Sequence, residues 1–192
     1  DLAFTRKVNE RYGSSDFLVL TYSPHADLLA DATLDSLSKL SAELLDLKRV
    51  ESVTSILNVP LLESPPKPIK ELIKNVPTLE SPGIDKALAK EEFLNSPIYS
   101  DNLVSPDFKT TALLINLFDD PLYRELLKQR NVLRKKEKDG SLSVLEQSEL
   151  KNVLINFKNH RDKMRLVEHE NISLVREIAE KYRGDAKIFL GG

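Results

Sequence analysis

The prolines of this chain are concentrated in one segment, where they limit regular structure. Eight of the ten prolines lie between Pro60 and Pro106. Because proline lacks an amide hydrogen and fixes φ, this segment has room only for short helices, near residues 69–75 and 84–94. The segment also carries many large apolar side chains, which a free linker would leave exposed. We therefore predict an ordered, proline-rich insertion over residues 60–108.

The residues before the insertion predict a strand, a helix and a second strand. The nearly continuous apolar run of residues 16–22 favours a central strand. Leucines at steps of three and four predict an amphipathic helix that begins at Thr33, its expected cap, and ends near Val50. Residues 50–59 alternate β-branched with polar side chains, which predicts the second strand. A further short helix is predicted over residues 2–12.

The residues after the insertion predict a strand, a helical hairpin and a last strand. Residues 109–118 are apolar and β-branched, and Asp119-Asp120-Pro121 then supplies an acidic cap and a proline for a helix start. The helical pattern breaks at residues 138–141 and resumes, which predicts a hairpin of two long helices over residues 119–183. Residues 186–192 predict the fourth strand.

This order of elements predicts an α+β fold. Strand, helix, strand, insertion, strand, two helices and strand correspond to the split β-α-β plan of ferredoxin-like domains. Right-handed crossovers favour that winding. We predict a four-stranded antiparallel sheet with helices on one face, as a single domain over residues 1–192.

Composition and motifs argue against several functions. The net charge of −2 gives no overall positive field, so we expect no nucleic-acid partner. The chain has no cysteine, its three histidines are not spaced as metal ligands, and no glycine-rich phosphate loop is present. Asp119 and Asp120 are explained by helix capping. We therefore predict no catalytic residue, no metal and no cofactor, and a protein that is not an enzyme.

A basic run marks the expected tip of the hairpin. Residues 134–138 read Arg-Lys-Lys-Glu-Lys. Such a run is compatible with contact to acidic lipid headgroups or to a partner. A charged hairpin tip is usually solvated, and this interpretation is favoured from the sequence.

Three segments resemble a known family. They resemble the first large extracytoplasmic loop of resistance, nodulation and division (RND) superfamily exporters. The segments are Tyr12-Gly-Ser-Ser-Asp-Phe-Leu-Val-Leu-Thr-Tyr-Ser-Pro24, Val50-Glu-Ser-Val-Thr-Ser-Ile-Leu-Asn-Val-Pro-Leu-Leu62 and Ala186-Lys-Ile-Phe-Leu-Gly-Gly192. The similar branch is the MMPL-like and hopanoid-exporter-like group. The resemblance spans nearly the whole chain and is strongest in these segments, which are family patterns rather than catalytic signatures.

The resemblance implies a location, a cargo and partners. It implies a periplasmic porter domain of a bacterial inner-membrane protein, with a ferredoxin-like fold. A hydrophobic lipid, such as a sterol, a hopanoid or a fatty-acyl lipid, would pass through clefts between porter subdomains toward the outer membrane. The transmembrane carboxylates that take up proton-motive energy in this family belong to helices that this sequence does not contain. The implied partners are the lipid, the second porter loop of the same transporter and a periplasmic carrier protein.

The insertion supplies the candidate lipid-binding residues. Irregular backbone that carries apolar side chains is where a cleft can open. The set that we expect to face the substrate is Leu61, Leu62, Phe93, Ile98 and Tyr99. Simple packing of the same residues on the core is the alternative. A second hypothesis for function is a protein-interaction module that docks a periplasmic partner through the helical arm. An outward apolar patch on that arm would favour it, and packing of Leu150, Leu154, Phe157 and Met164 within the hairpin would weaken it.

Overall fold

The computed structural model describes residues 16–64 and 76–191. The chain divides into two compact units. The sheet unit comprises the chain up to Phe118 and again from Leu174 onward, and the hairpin unit comprises Asp119–Ser173. The helices predicted over residues 2–12 and 69–75 lie outside the described residues, and a single domain over residues 1–192 stays a prediction.

The sheet unit contains a four-stranded antiparallel sheet in the order β2-β3-β1-β4. The strands that come first and third in the sequence therefore lie at its centre, and the other two lie at its edges. This is the ferredoxin-like split β-α-β arrangement, so the predicted fold class is confirmed. The strands are β1 (Phe17–Pro24), β2 (Val50–Thr54), β3 (Thr111–Leu117) and β4 (Ala186–Gly191).

Alternating side chains give the sheet one buried and one open face. In β1, Leu18, Leu20 and Tyr22 are buried, whereas the residues between them are partly exposed. The same alternation runs along β3, where Leu113 and Ile115 are fully buried. Because side chains alternate across a strand, the buried sets of paired strands lie on the same face. That face forms the core of the sheet unit.

Helix α1 spans Asp31–Leu45, which corrects both predicted ends. Its N-cap is Ala30, which makes no side-chain cap hydrogen bond, and Thr33 lies inside the helix with a buried side chain. Thr33 packs in the core, so the prediction that it caps the helix was wrong. The predicted end near Val50 was also wrong, because the Val50 amide bonds to Leu47 O in the turn that leads into β2.

Strand β2 ends at Thr54, not near residue 59 as the alternation predicted. Asn58 folds the chain back, because its Oδ1 accepts from the Ser55 amide and its Nδ2 donates to Val53 O. An asparagine that bonds its own backbone in this way favours a turn over a strand. The apolar residues of the turn are nevertheless buried, which explains the misleading pattern; they are Ile56, Leu57 and Val59.

The insertion contains helix α2, Lys86–Asn95. Asp85 caps it, since its side chain accepts from the amides of Ala87 and Leu88. The short helix predicted over residues 84–94 is therefore confirmed, shifted by one or two residues. Its capping aspartate was visible in the sequence as an acidic residue just before the helical run.

The hairpin unit is built from helix α3 (Pro121–Lys138) and the part of helix α4 (Val144–Lys181) that ends at Ser173. Asp120 caps α3 by accepting from the Tyr123 amide, as its position before a proline predicted. Gly140 has a φ of 67° in the loop, a conformation that glycine adopts without strain. Among the described residues, no helix combines the length and the apolar character needed to cross a membrane.

A capping box begins α4. The Ser143 hydroxyl accepts from the Glu146 amide, and Glu146 Oε2 accepts from the Ser143 amide. Glu146 Oε1 also binds Lys136 Nζ, which ties the last turns of α3 to the first turn of α4. The sequence signal for this start is Ser-x-x-Glu, which the prediction of a break at residues 138–141 overlooked.

The pKa of Glu146 should report this capping box in solution. The Lys136 ammonium, followed by the Ser143 amide and hydroxyl, lowers the pKa of Glu146 from 4.5 to about 2. Because the folded pKa is depressed, the carboxylate stabilises the hairpin fully above about pH 4.5 and progressively less as the pH falls toward 2. A side-chain NMR titration should find this low value, and Lys136→Met should raise it. An unchanged pKa in that variant would contradict the pairing.

Candidate functional site

The insertion is organised around a buried carboxylate. Glu92 of α2 is only 6% exposed, and its two oxygens accept from the backbone amides of Leu62 and Glu63 at 2.6 and 3.0 Å. A carboxylate that accepts backbone amides forms charge-assisted hydrogen bonds, which are stronger than neutral ones. Glu92 therefore fixes the start of the insertion against α2.

Aromatic side chains pack beside this carboxylate. The rings of Phe93 and Tyr99 meet edge to face with centroids 5.5 Å apart, and Phe108 stacks on Phe93 at 6.3 Å. The Tyr99 hydroxyl donates to Pro60 O at 2.5 Å. Burial, and then the negative charge of Glu92, raise the pKa of Tyr99, so its hydroxyl remains a donor at neutral pH. The aromatic cluster and Glu92 together close the insertion on itself.

The five predicted lipid-facing residues separate into two groups. Leu61, Phe93 and Tyr99 are buried in the sheet unit, where they pack as the alternative interpretation expects. Leu62 is 49% exposed and Ile98 is 66% exposed. Without a rearrangement of the insertion, only Leu62 and Ile98 of the predicted set can contact a ligand from solvent. The assignment of all five as lipid-binding stays a prediction.

The open face of the sheet adds apolar surface that the sequence analysis did not select. The register places Thr21 of β1 opposite both Ala112 and Phe189, and Val19 opposite Leu114. Directly paired residues share a face, so these side chains form a continuous partly apolar surface. Phe189 is its most exposed large residue, at 68%. The alternation of Lys187, Ile188 and Phe189 was the available signal, since it leaves a phenylalanine on the face opposite the core.

A shallow cleft of about 530 Å³ lies beside the first turns of α1. Its lining includes Tyr22, His25, Tyr182 and Asp185. Burial raises the pKa of Tyr22, and the nearby Ser36 hydroxyl offsets part of that rise. The Tyr22 hydroxyl makes no hydrogen bond of standard geometry to a described residue. Burial and the hydrogen bond to Glu43 raise the pKa of Tyr182 to about 12. Both phenols are therefore neutral at physiological pH. In the described ranges, no three His, Cys, Asp or Glu side chains are grouped to hold a metal ion.

Most of the apolar residues that the sequence predicts along the second helix of the hairpin are buried inside the hairpin unit. Leu150 and Phe157 are buried, and Leu154 and Met164 are partly buried. Phe157 packs on the Tyr123 ring with centroids 5.3 Å apart, and the Arg130 guanidinium lies 4.4 Å from the Phe157 ring centre. The stripe therefore stabilises the hairpin. Apolar side chains on its outer surface are Leu122, Val132, Val144, Leu145, Ile155 and Leu166.

Comparison with known proteins leaves the family open. The chain matches no protein-family model, and no curated protein is significantly similar to it.

Proposed function

We propose that this chain is the periplasmic substrate-handling domain of an RND-type inner-membrane transporter that moves hydrophobic lipids, such as a sterol or a hopanoid, toward the outer membrane. The observation that carries the proposal is where the family-like segments lie. They contain strands β1, β2 and β4 of one sheet, whose order β2-β3-β1-β4 is the ferredoxin-like order that the resemblance implies. The residue patterns alone predict the same fold.

Two apolar surfaces of the sheet unit suit the contacts that this role requires. Leu62 and Ile98 offer exposed aliphatic side chains for a lipid at the insertion. The open sheet face, with Val19, Leu114 and Phe189, offers a flat apolar area on which the second porter loop can pack. In this role the chain binds the lipid and lets it pass, and it catalyses no reaction. The energy-coupling helices belong to the parent membrane protein.

Lipid binding by the purified domain tests the proposal. The protein is titrated with sterols, hopanoids, phospholipids and fatty acids, and binding is followed by microscale thermophoresis. We expect saturable binding of one lipid class. The variant Leu62→Ser/Ile98→Ser should bind that lipid about tenfold more weakly or worse, because it can no longer bury two aliphatic side chains against the lipid. Leu45→Ser is the matched control, because Leu45 is a similarly exposed leucine at the end of α1.

The other outcomes are equally informative. If Leu62→Ser/Ile98→Ser binds like the unaltered protein and Phe189→Ser does not, the lipid contacts the open sheet face and the predicted residue set is wrong. If no lipid binds, even when the second porter loop is supplied, the lipid-handling role is rejected.

A second candidate function is docking of a periplasmic carrier protein through the hairpin. Its support is the pair Ile155 and Leu166, which are both exposed and lie eleven residues, or about three turns, apart on one side of α4. A photo-crosslinking residue at position 155 or 166 should then give one discrete adduct in the periplasm. One at Arg161, which is exposed and lies about 120° around the helix from Ile155, should not. Equal labelling from all three positions would reject docking by this side of α4.

A further inference from the structure

One tyrosine hydroxyl of the sheet unit is buried without a partner. Tyr22 of β1 is fully buried, and its hydroxyl makes no hydrogen bond of standard geometry to any described residue. Burying an unpaired hydroxyl destabilises a fold, because the group gives up its hydrogen bonds to water and gains none. A phenylalanine would fill the same place in the core without that cost. Packing therefore explains the ring of Tyr22 and leaves its hydroxyl unexplained.

The Tyr22 hydroxyl lies near two other polar groups of the cleft beside α1. Burial raises the pKa of Tyr22, and the Ser36 hydroxyl and the Asp185 charge also act on it, so both groups lie close to the Tyr22 hydroxyl. All three residues line the cleft of about 530 Å³, and Tyr22 forms part of its floor. A cleft of about 300–1,000 Å³ in which a few polar groups converge is typical of a small-molecule site.

These groups select the chemistry of a ligand. The Tyr22 hydroxyl needs an acceptor, whereas the Asp185 carboxylate needs a donor. An anion would be repelled by Asp185, and an ammonium group offers Tyr22 no acceptor. A ligand hydroxyl both donates and accepts, so it satisfies the two side chains at once. Ser36 demonstrates that a hydroxyl fits here, because its Oγ donates to Asp185 Oδ2 at 3.0 Å.

We propose that this cleft binds a neutral polyol, either a free sugar or the sugar headgroup of a lipid. One ligand hydroxyl donates to Asp185 in place of Ser36 and accepts from Tyr22. Ser36 is only partly buried, and rotation about its χ1 opens the way to the enclosed Tyr22 hydroxyl. On the exposed rim, Asp35 pairs with Lys39 at 3.1 Å, so this pair adds no net charge that would favour an ion over a polyol.

The inference goes beyond the proposed function. The cleft shares no residue with the two surfaces proposed for the lipid and for the second porter loop. Lipid binding through Leu62 and Ile98 is tested by other variants and would survive a failure of the cleft proposal.

NMR titration of the purified, ¹⁵N-labelled protein tests the proposal. Methyl glucoside and mannitol are the probes for a free polyol, and octyl glucoside below its micelle concentration is the probe for a lipid headgroup. We expect saturable shift changes at the backbone amides of Ser36 and Asp185. Equal affinities for methyl and octyl glucoside indicate a free sugar, and tighter binding of octyl glucoside indicates a lipid headgroup.

Removing single polar groups separates a binding role from a structural one. Tyr22→Phe should weaken binding about tenfold, which corresponds to the loss of one hydrogen bond. Its stability should be equal or higher, because the change leaves no protein group unpaired. Asp185→Asn removes the charge from an exposed side chain and should also weaken binding. Tyr123→Phe is the matched control, since it removes a phenol hydroxyl from the hairpin unit and should leave binding unchanged.

Two results would overturn the proposal. One is an absence of saturable binding with all three probes; if Tyr22→Phe is then also less stable, a bound water is the partner of the hydroxyl. The other is unaltered binding by both Tyr22→Phe and Asp185→Asn, which would place any bound polyol elsewhere on the protein.

Discussion

Replacing Glu92 with alanine should lower the free energy of unfolding of the sheet unit by about 3 kcal/mol, since hydrogen bonds to charged groups contribute about 1.5–3 kcal/mol each and Glu92 makes two to backbone amides. The change leaves the Leu62 and Glu63 amides without their partner and opens a gap beside the aromatic cluster. Relief of the cost of burying a carboxylate offsets part of the loss. Urea unfolding measures the loss of stability, and hydrogen exchange at the amides of Leu62 and Glu63 locates it.

The neighbouring residue supplies the control for Glu92. Glu91 is exposed on the same helix, so Glu91→Ala should change the stability by no more than about 0.5 kcal/mol. Glu92→Gln keeps the volume and one acceptor oxygen, and its loss should fall between the two alanine variants. If Glu91→Ala and Glu92→Ala were equally stable, water would replace the two hydrogen bonds, and the insertion would not depend on Glu92.

The arrangement of the sheet was predictable because its strands carry local patterns. β1 and β3 have apolar cores bounded by turn residues, and α3 has an acidic cap followed by proline. These signals arise within a few residues, so each element is specified before the chain folds. The split order followed from short connections and right-handed crossovers, which leave few ways to arrange four strands and their helices.

The element ends were less predictable, because side chains acted in ways that a pattern does not distinguish. The Asn58 side chain hydrogen-bonds to the backbone of Val53 and Ser55, which turns the chain although the sequence still alternates apolar and polar residues. Thr33 is a residue type that often caps helices, yet its side chain is buried and it lies inside α1. Asn58 therefore acts through local hydrogen bonds, whereas burial in the sheet unit outweighs the capping propensity of Thr33.

The candidate site shows a second limit of sequence reasoning. Apolar residues in irregular backbone were grouped together, but the contacts that fix the insertion join residues far apart in sequence. Tyr99 donates to Pro60 O, 39 residues earlier, and Glu92, next to Phe93, accepts from the Leu62 amide, 30 residues earlier. Only the fold separates Phe93 and Tyr99 from Leu62 and Ile98. Phe189 was overlooked for the converse reason, since a phenylalanine in a strand is usually assigned to the core.

Replacing Phe157 with alanine should destabilise the hairpin unit by about 4 kcal/mol, the usual cost of removing a buried phenylalanine. Phe157 packs on the Tyr123 ring, and the Arg130 guanidinium lies over the Phe157 ring. The variant therefore loses an aromatic pair and a cation–π interaction together with the buried area. Residue-level hydrogen exchange should show faster exchange throughout α3 and the adjacent part of α4.

The location of that loss tests whether the two compact units unfold separately. Ile155 is two residues away on the same helix and is exposed, so Ile155→Ala is the matched control and should keep exchange in the hairpin slow. If the units are separate cooperative structures, Phe157→Ala leaves the exchange of β1 and β3 amides unchanged while the hairpin opens. Equal acceleration in the sheet would mean that the hairpin and the sheet unfold as one structure, because an opening in one unit would then expose the core of the other.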